Sequence, residues 1–208
     1  MRPHPADVES KKPWYRERGG RLRVVGGEHR SRRLIGPPEG VRPTSDRVRE
    51  SLFATLGDVG GSRVLDLFAG TGAVAIEALS RGAESAVMIE QSNRSLAVIR
   101  RNLAALGLEP RGRVIRGDSA RVIPKLASGE PFDLVFLDPP YDSDRLVPAL
   151  EALASSGVLA RGATVVVETA KRHSLAAVPG LVVRDERTYG DTRLTWLEPS
   201  GEADPETE

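Results

Sequence analysis

Apolar and polar positions change rhythm along the 208 residues of this chain. Up to about residue 60 apolar residues are sparse and set among arginines. Beyond it, short continuous apolar runs alternate with longer stretches in which apolar residues recur every three to four positions. Continuous aliphatic runs indicate strands buried on both faces, and the three-to-four spacing indicates helices packed against them. Val64-Leu65-Asp66-Leu67, Ala86-Val87-Met88-Ile89, Arg113-Val114-Ile115-Arg116, the run from Phe132 to Leu137 and Thr164-Val165-Val166-Val167-Glu168 are therefore read as strands. Helices are predicted after Gly70-Thr71-Gly72 to about Arg81, from Asn93 to about Leu106, from Ala120 to Leu126 and from about Arg145 to Ser155. Two late runs, Leu181 to Arg187 and Arg193 to Leu197, are joined through Tyr189-Gly190-Asp191, short enough for an antiparallel connection.

This alternation predicts an α/β fold, a Rossmann-like doubly wound sheet that is mostly parallel, with one antiparallel strand near the C-terminus. Ahead of it, Leu22 to Val25, a turn at Gly26-Gly27-Glu28-His29 and a return through Arg32 to Ile35 read as a basic β-hairpin. A helix from about Asp46 follows, capped by Ser45 or Thr44, with Val48, Leu52, Phe53 and Leu56 on one face. The expected organisation is a flexible tail over 1–20, a hairpin extension over 21–40, one domain over 41–198 and an acidic tail over 199–208.

Composition narrows the options. No apolar run approaches the roughly 20 residues that span a bilayer, and the polar N-terminus lacks a signal-peptide core, so a cytoplasmic protein without a membrane segment is expected. There are no cysteines, and the three histidines show no ligand spacing, so no metal site is expected. The net charge of +1 conceals an asymmetry: Lys11 to Arg49 holds twelve Lys and Arg against four acids, and Glu198 to Glu208 carries five acids and no base. Such a basic front end is the electrostatic footprint of a nucleic-acid partner, and Arg23, Arg30, Arg32, Arg33, Arg42, Arg47 and Arg49 are candidate phosphate contacts. Arg47 and Arg49 project from different faces of the predicted helix. One of them should serve an ion pair or the wall of the site, and Arg47 is the one favoured near the site.

The candidate chemistry lies at the strand ends. Asp138-Pro139-Pro140-Tyr141 directly follows an apolar run, and two prolines can continue neither a sheet ladder nor a helix. A carboxylate and a donor-free carbonyl make a two-acceptor clamp for an NH2 group, and the ring of Tyr141 offers a stacking face for a planar heterocycle. Asp66, Glu90, Asp118 and Asp138 each close a predicted strand, and parallel strands would set all four along one crevice. Gly70-Thr71-Gly72-Ala73-Val74-Ala75 is a G-x-G-x-x-A loop, which suits a dinucleotide as well as other nucleoside cofactors. Asp66, four residues before Gly70, argues against the dinucleotide, because a carboxylate there would repel a pyrophosphate. S-adenosylmethionine carries no phosphate, and its ammonium would favour Asp66. Glu90 is placed to accept from both ribose hydroxyls, and Asp118 with the backbone of Ser119 to receive the adenine amine.

At these residues the chain resembles the class I S-adenosylmethionine-dependent methyltransferases, and more narrowly the RsmD family of 16S ribosomal RNA guanine-N2 methyltransferases. The resemblance runs from about Arg23 to Glu198. It rests on the hairpin Arg23-Val24-Val25-Gly26-Gly27, the segment Arg42-Pro43-Thr44-Ser45-Asp46-Arg47-Val48-Arg49-Glu50 and the loop from Leu65 to Gly72. Further matches are Glu77-Ala78-Leu79-Ser80-Arg81-Gly82-Ala83, Asp138-Pro139-Pro140-Tyr141 and Tyr189-Gly190-Asp191-Thr192-Arg193-Leu194. It implies methylation of the exocyclic amine of one guanine, usually position 966, in the RNA of the small ribosomal subunit, by a monomer. It also implies a cofactor set of Asp66, Phe68, Gly70, Gly72, Glu90, Gln91, Asp118 and Ser119, and catalysis at Asp138, Pro139, Pro140 and Tyr141. Two departures stand out: Ser31 replaces the glycine usual in the hairpin turn, and Val74-Ala75 replaces a common Leu-Gly pair. Rival readings are an adenine-N6 or protein glutamine methyltransferase using the same turn, a non-catalytic RNA-binding assembly factor, and a dinucleotide oxidoreductase. A DNA enzyme would need a recognition insertion for which this length leaves no room.

Overall fold

The computed structural model describes residues 22–37, 45–140 and 144–200. Arg42, Tyr141 and most of both expected tails lie outside the described residues. In chain order the elements are α1 (Asp46–Leu56), β1 (Arg63–Leu67), α2 (Ala73–Ser80), β2 (Ser85–Glu90), α3 (Asn93–Leu106), β3 (Gly112–Arg116) and α4 (Ser119–Val122). A 3-10 turn (Ile123–Leu126) leads to β4 (Phe132–Leu137), α5 (Leu146–Ser155), β5 (Leu159–Ala170), β6 (Leu181–Tyr189) and β7 (Thr192–Pro199).

The strands form one sheet in the order β3-β2-β1-β4-β5-β7-β6. All neighbours from β3 to β5 run parallel, and β7 runs antiparallel to both β5 and β6. This is the doubly wound sheet with a reversed strand that the apolar pattern predicts. The chain moves outward from β1 through β2 to β3, then returns to the other side of β1 at β4. That reversal opens a crevice at the carboxyl ends of β1 and β4.

Strand alternation divides the core. Val64, Met88, Phe136 and Val166 face α1, α2 and α3, where they meet Leu52, Phe53, Ile76, Leu79, Ile99 and Leu103. Leu65, Leu67, Ile89, Val135 and Val165 face α4 and α5, where they meet Val122, Leu150 and Leu153. The helices begin where local chemistry dictates: the Ser45 hydroxyl accepts from the Val48 N–H and the Ser92 hydroxyl from the Ser95 N–H. Strand β5 extends five residues earlier than its apolar run. Arg161 and Gly162 interrupt the pattern there, and the register against β4 shifts between Phe132 and Leu134.

The hairpin exists, but as part of the core. One antiparallel bridge joins Arg23 to Arg33, and Leu22, Val24 and Leu34 are buried in the same cluster as α1 and α2. Arg23, Arg30, Arg32 and Arg33 are all exposed. The underside of the hairpin rests on α2. The buried Glu77 carboxylate accepts the Val25 and Gly26 N–H groups, each at 2.7 Å, and also takes the Arg81 guanidinium at 2.8 Å. Ser80 donates its hydroxyl to the Gly26 carbonyl and accepts the His29 N–H, and its own carbonyl accepts the Glu28 N–H. A Cβ on Gly27, whose φ is +73°, would lie 1.9 Å from the Ser80 carbonyl oxygen. The glycine pair is therefore what lets the backbone sit this close to the helix.

Ser31 occupies the left-handed region at φ 68°, the conformation glycine adopts without steric cost. Ser31→Gly should accordingly stabilise the protein by about 0.5–1 kcal/mol, the relief of a left-handed residue less the entropy of a freer unfolded chain. Differential scanning calorimetry should show a rise of roughly 1–4 °C in Tm.

Candidate active site

A cavity of about 710 Å3 occupies the crevice above the strand ends. Its floor follows the strand order: Gly117 and Ser119 after β3, Glu90, Gln91 and Ser92 at β2, and Asp66 with Phe68 to Thr71 at β1. Asp138, Pro139 and Pro140 follow at β4, then Glu168 on β5 and Thr192 on β7. Pro37, Ser45 and Val48 close the rim on the side of the hairpin and α1. Among the described residues, four acidic side chains line this space against one guanidinium, that of Arg145.

Asp66 sits within β1, opposite Met88 on one side and Phe136 on the other, and is almost wholly buried. Burial raises its pKa to about 8, with Asp138 and Glu90 adding repulsion, while the Ala75 N–H at 3.3 Å opposes the rise. Glu90 joins two loops. Its Oε2 accepts the Gly70 N–H at 2.9 Å, and its Oε1 accepts the N–H groups of Gln91 and Ser92 at 2.7 and 2.8 Å. Three of a carboxylate's roughly four acceptor positions are thus taken by backbone. Any diol bound at Glu90 shares the group with these donors.

The glycine loop serves two purposes. Gly70 lines the cavity, while Gly72 does not; a Cβ on Gly72 would press on Ile99 and Met88 at 3.2 and 3.3 Å, so that glycine permits close packing of β2 and α3 beneath the loop. Phe68 holds φ 63°, an uncommon conformation for an aromatic residue, with its ring at the cavity wall. Backbone strain of this kind persists where surrounding structure enforces it, and it concentrates at functional sites. Asn102, buried on α3, donates to the carbonyls of Thr71 in this loop and of Ile35 in the hairpin, and accepts the Ile35 N–H.

Two expectations need correction. Asp118 does not line the cavity: its carboxylate caps α4 through the Arg121 N–H at 3.3 Å and accepts the Gln91 side-chain amide at 2.8 Å. Gly117 and Ser119 present the wall in its place. Arg47 is exposed and does not line the cavity, whereas Arg49 is fully buried. Arg49 donates to the Arg23 carbonyl and to Asp46, each at 2.7 Å, and so ties α1 to the hairpin. Glu168, Thr192 and Arg145 line the cavity although the sequence reading assigned them no role. Glu168 closes the run Val165-Val166-Val167 as Asp138 closes its own strand, so the rule that singled out the other acids applied to it as well.

A parallel sheet with this strand order, a glycine loop after β1 and Asp-Pro-Pro after β4 define a methyltransferase of class I fold. The solved structure of yhhF from Escherichia coli superposes with a TM-score of 0.76 at 32% identity, covering 86% of this chain and 98% of that one. The family described as conserved hypothetical protein 95 matches residues 22–198, and the chain belongs to it, that is, to the RsmD family. Ribosomal RNA small subunit methyltransferase D of Escherichia coli is 36% identical over 190 residues, spanning 89% of this chain and 94% of that protein. Its counterpart in Haemophilus influenzae is 33% identical over 174 residues, spanning 82% of this chain and 90% of that protein.

Proposed function

We propose that the protein methylates the exocyclic N2 amine of a guanine in 16S ribosomal RNA of the small subunit, with S-adenosylmethionine as donor. The observation that carries this reading is the shared cavity: the Asp138-Pro139-Pro140 turn opens onto the same space as the acidic side chains of Asp66 and Glu90. The residues present fit that cofactor. At the β1 and β2 ends a pyrophosphate would meet the carboxyl groups of Asp66 and Glu90, which offer it no positive charge, whereas a sulfonium and an ammonium are attracted to them. Glu90 with the Gly70 loop would hold the ribose, Gln91 and Ser119 would flank the adenine, Phe68 would pack against it, and Asp66 would face the ammonium.

When bound, the cofactor supplies an electrophilic methyl group. The amine that receives it is a poor nucleophile because its lone pair is delocalised into the ring. The Asp138 carboxylate and the Pro139 carbonyl would accept its two N–H groups and aim the nitrogen, supplying proximity and electrostatic stabilisation. The surplus proton of the amine would pass to Asp138 as the amine takes up the methyl group. Tyr141 is assigned to stack on the base, which must be unstacked from its own helix to enter.

Arg23, Arg30, Arg32 and Arg33, exposed together on the hairpin, are assigned to RNA phosphates, as are Arg42 and the exposed Arg47. In this division the hairpin over 21–40 grips the RNA and 41–198 performs the transfer. Labelled-cofactor methylation of undermethylated ribosomal RNA and of subunit particles, with the product base identified, tests the assignment. N2-methylguanine is expected; N6-methyladenine or a lack of transfer would overturn it.

Asp66 gives the cofactor site a pH signature. Its folded pKa near 8 lies above the unfolded carboxylate value near 4, so the cofactor-free protein loses Asp66's contribution to stability as pH rises from about 4 through 8. A bound ammonium favours the ionised form, so binding should release a proton below pH 8 and tighten by up to about tenfold per pH unit between 6 and 7.5. Calorimetry in buffers of different ionisation enthalpy measures that release. Asp66→Asn should abolish both the release and the slope.

A further inference from the structure

Strands β4 and β5 run side by side in register, Leu137 against Val167, which sets the following residues, Asp138 and Glu168, next to each other at the carboxyl ends. Neighbouring strands lie about 4.8 Å apart, close enough for side chains from both to converge on one edge of a base. Both residues line the cavity, on the side away from the β2 and β3 ends where the nucleoside of the cofactor is assigned. Glu168 borders the cavity and is only 4% exposed, so it is shielded from bulk water. The amine clamp at Asp138 and Pro139 is indifferent to the base that carries the amine. A second acceptor beside it is not.

Adenine, cytosine and guanine all carry exocyclic amines, but they differ at the adjoining ring nitrogens. In adenine the N6 amine adjoins N1, and in cytosine the N4 amine adjoins N3; each of these nitrogens bears a lone pair. Guanine alone has a ring N–H, at N1, next to its amine. A carboxylate can accept N1–H but is repelled by a lone pair at the same place, and a buried polar group left unmatched is costly. We propose that Glu168 selects guanine, accepting N1–H while the adjacent N2 amine lies at Asp138; this rests on the guanine-N2 reading above.

The probe is ribosomal RNA in which the methyl-accepting guanine is replaced by 2-aminopurine, which keeps the 2-amine but has an unprotonated N1. The wild-type protein should use it at least about 100-fold less efficiently in kcat/KM than guanine. Glu168→Gln should lose about tenfold on guanine, because the amide oxygen still accepts N1–H but without charge, and should lose nothing on 2-aminopurine, because the amide can donate to a bare N1, so the preference should fall to about tenfold. Its affinity for the cofactor alone should stay within about twofold of wild type, since Glu168 faces the acceptor side. A merely structural role would lower both substrates together and leave their ratio unchanged, and that result overturns the proposal. Equal use of the two bases by the wild type overturns it also, and that measurement stands even where the variant does not fold. If the wild type forms no N2-methylguanine, the parent reading fails; if it forms N2-methylguanine but Glu168→Gln keeps the wild-type ratio, only the role of Glu168 fails.

Discussion

Asp138→Ala should lower kcat for RNA methylation by roughly 10²- to 10⁴-fold, the range lost when a positioned acceptor of charge or of a proton is removed from an active site. The cofactor should still bind, because the N–H groups anchoring the opposite wall belong to Gly70, Gln91 and Ser92 and converge on Glu90. Removing Asp138 also takes one repelling charge from Asp66, so the Asp66 pKa should fall and the pH dependence of cofactor binding should move to lower pH. Single-turnover rates with titration calorimetry separate the two effects. A variant that methylates at near the wild-type rate would show that the clamp lies elsewhere.

Glu77→Ala should produce the largest loss of stability. The carboxylate it removes is fully buried and serves three partners, the N–H groups of Val25 and Gly26 and the guanidinium of Arg81. Stranding two backbone donors and a partly exposed cation costs about 3–5 kcal/mol, which corresponds to a fall of roughly 6–20 °C in Tm. The loss should be local at first: hydrogen exchange at Val24, Val25 and Gly26 should accelerate before that of the strands. RNA affinity should fall with the hairpin, and cofactor affinity should fall less. Protection at those amides that stays at wild-type level after the substitution would show that the hairpin is anchored by other contacts.

The sheet was legible because its strands are continuous aliphatic runs and its two longest helices, α1 and α3, begin at serines and end at glycines, signals that act within a few residues. The start of β5 was not, because Arg161 and Gly162 break the apolar run and only the pairing with β4 identifies the segment as strand. The candidate site was legible where residue type is rare in its context, as with two prolines after a buried strand. It was misread where the residue type is ambiguous. An acid at a strand end can face a ligand or cap the following helix, and Asp118 caps α4. Of two arginines on one helix, spacing says that they part company but not which turns inward; the Arg23 carbonyl and Asp46 decide it for Arg49. Glu77 stood in a segment noted for its specificity, yet nothing local tells a solvated helix acid from one that underlies a distant hairpin.

Asn102 bears on how such a protein could have grown. Its side chain spans the hairpin at Ile35 and the glycine loop at Thr71 from a fully buried position on α3. An enzyme trimmed back to the sheet would leave Glu77 with Arg81 and Asn102 with Thr71 as their remaining partners, and the hydrogen bonds to Val25, Gly26 and Ile35 unmade at both side chains. The N-terminal segment is therefore not a detachable accessory, and loss or exchange of it in evolution or in the laboratory requires compensating changes at positions 77 and 102 of the catalytic half.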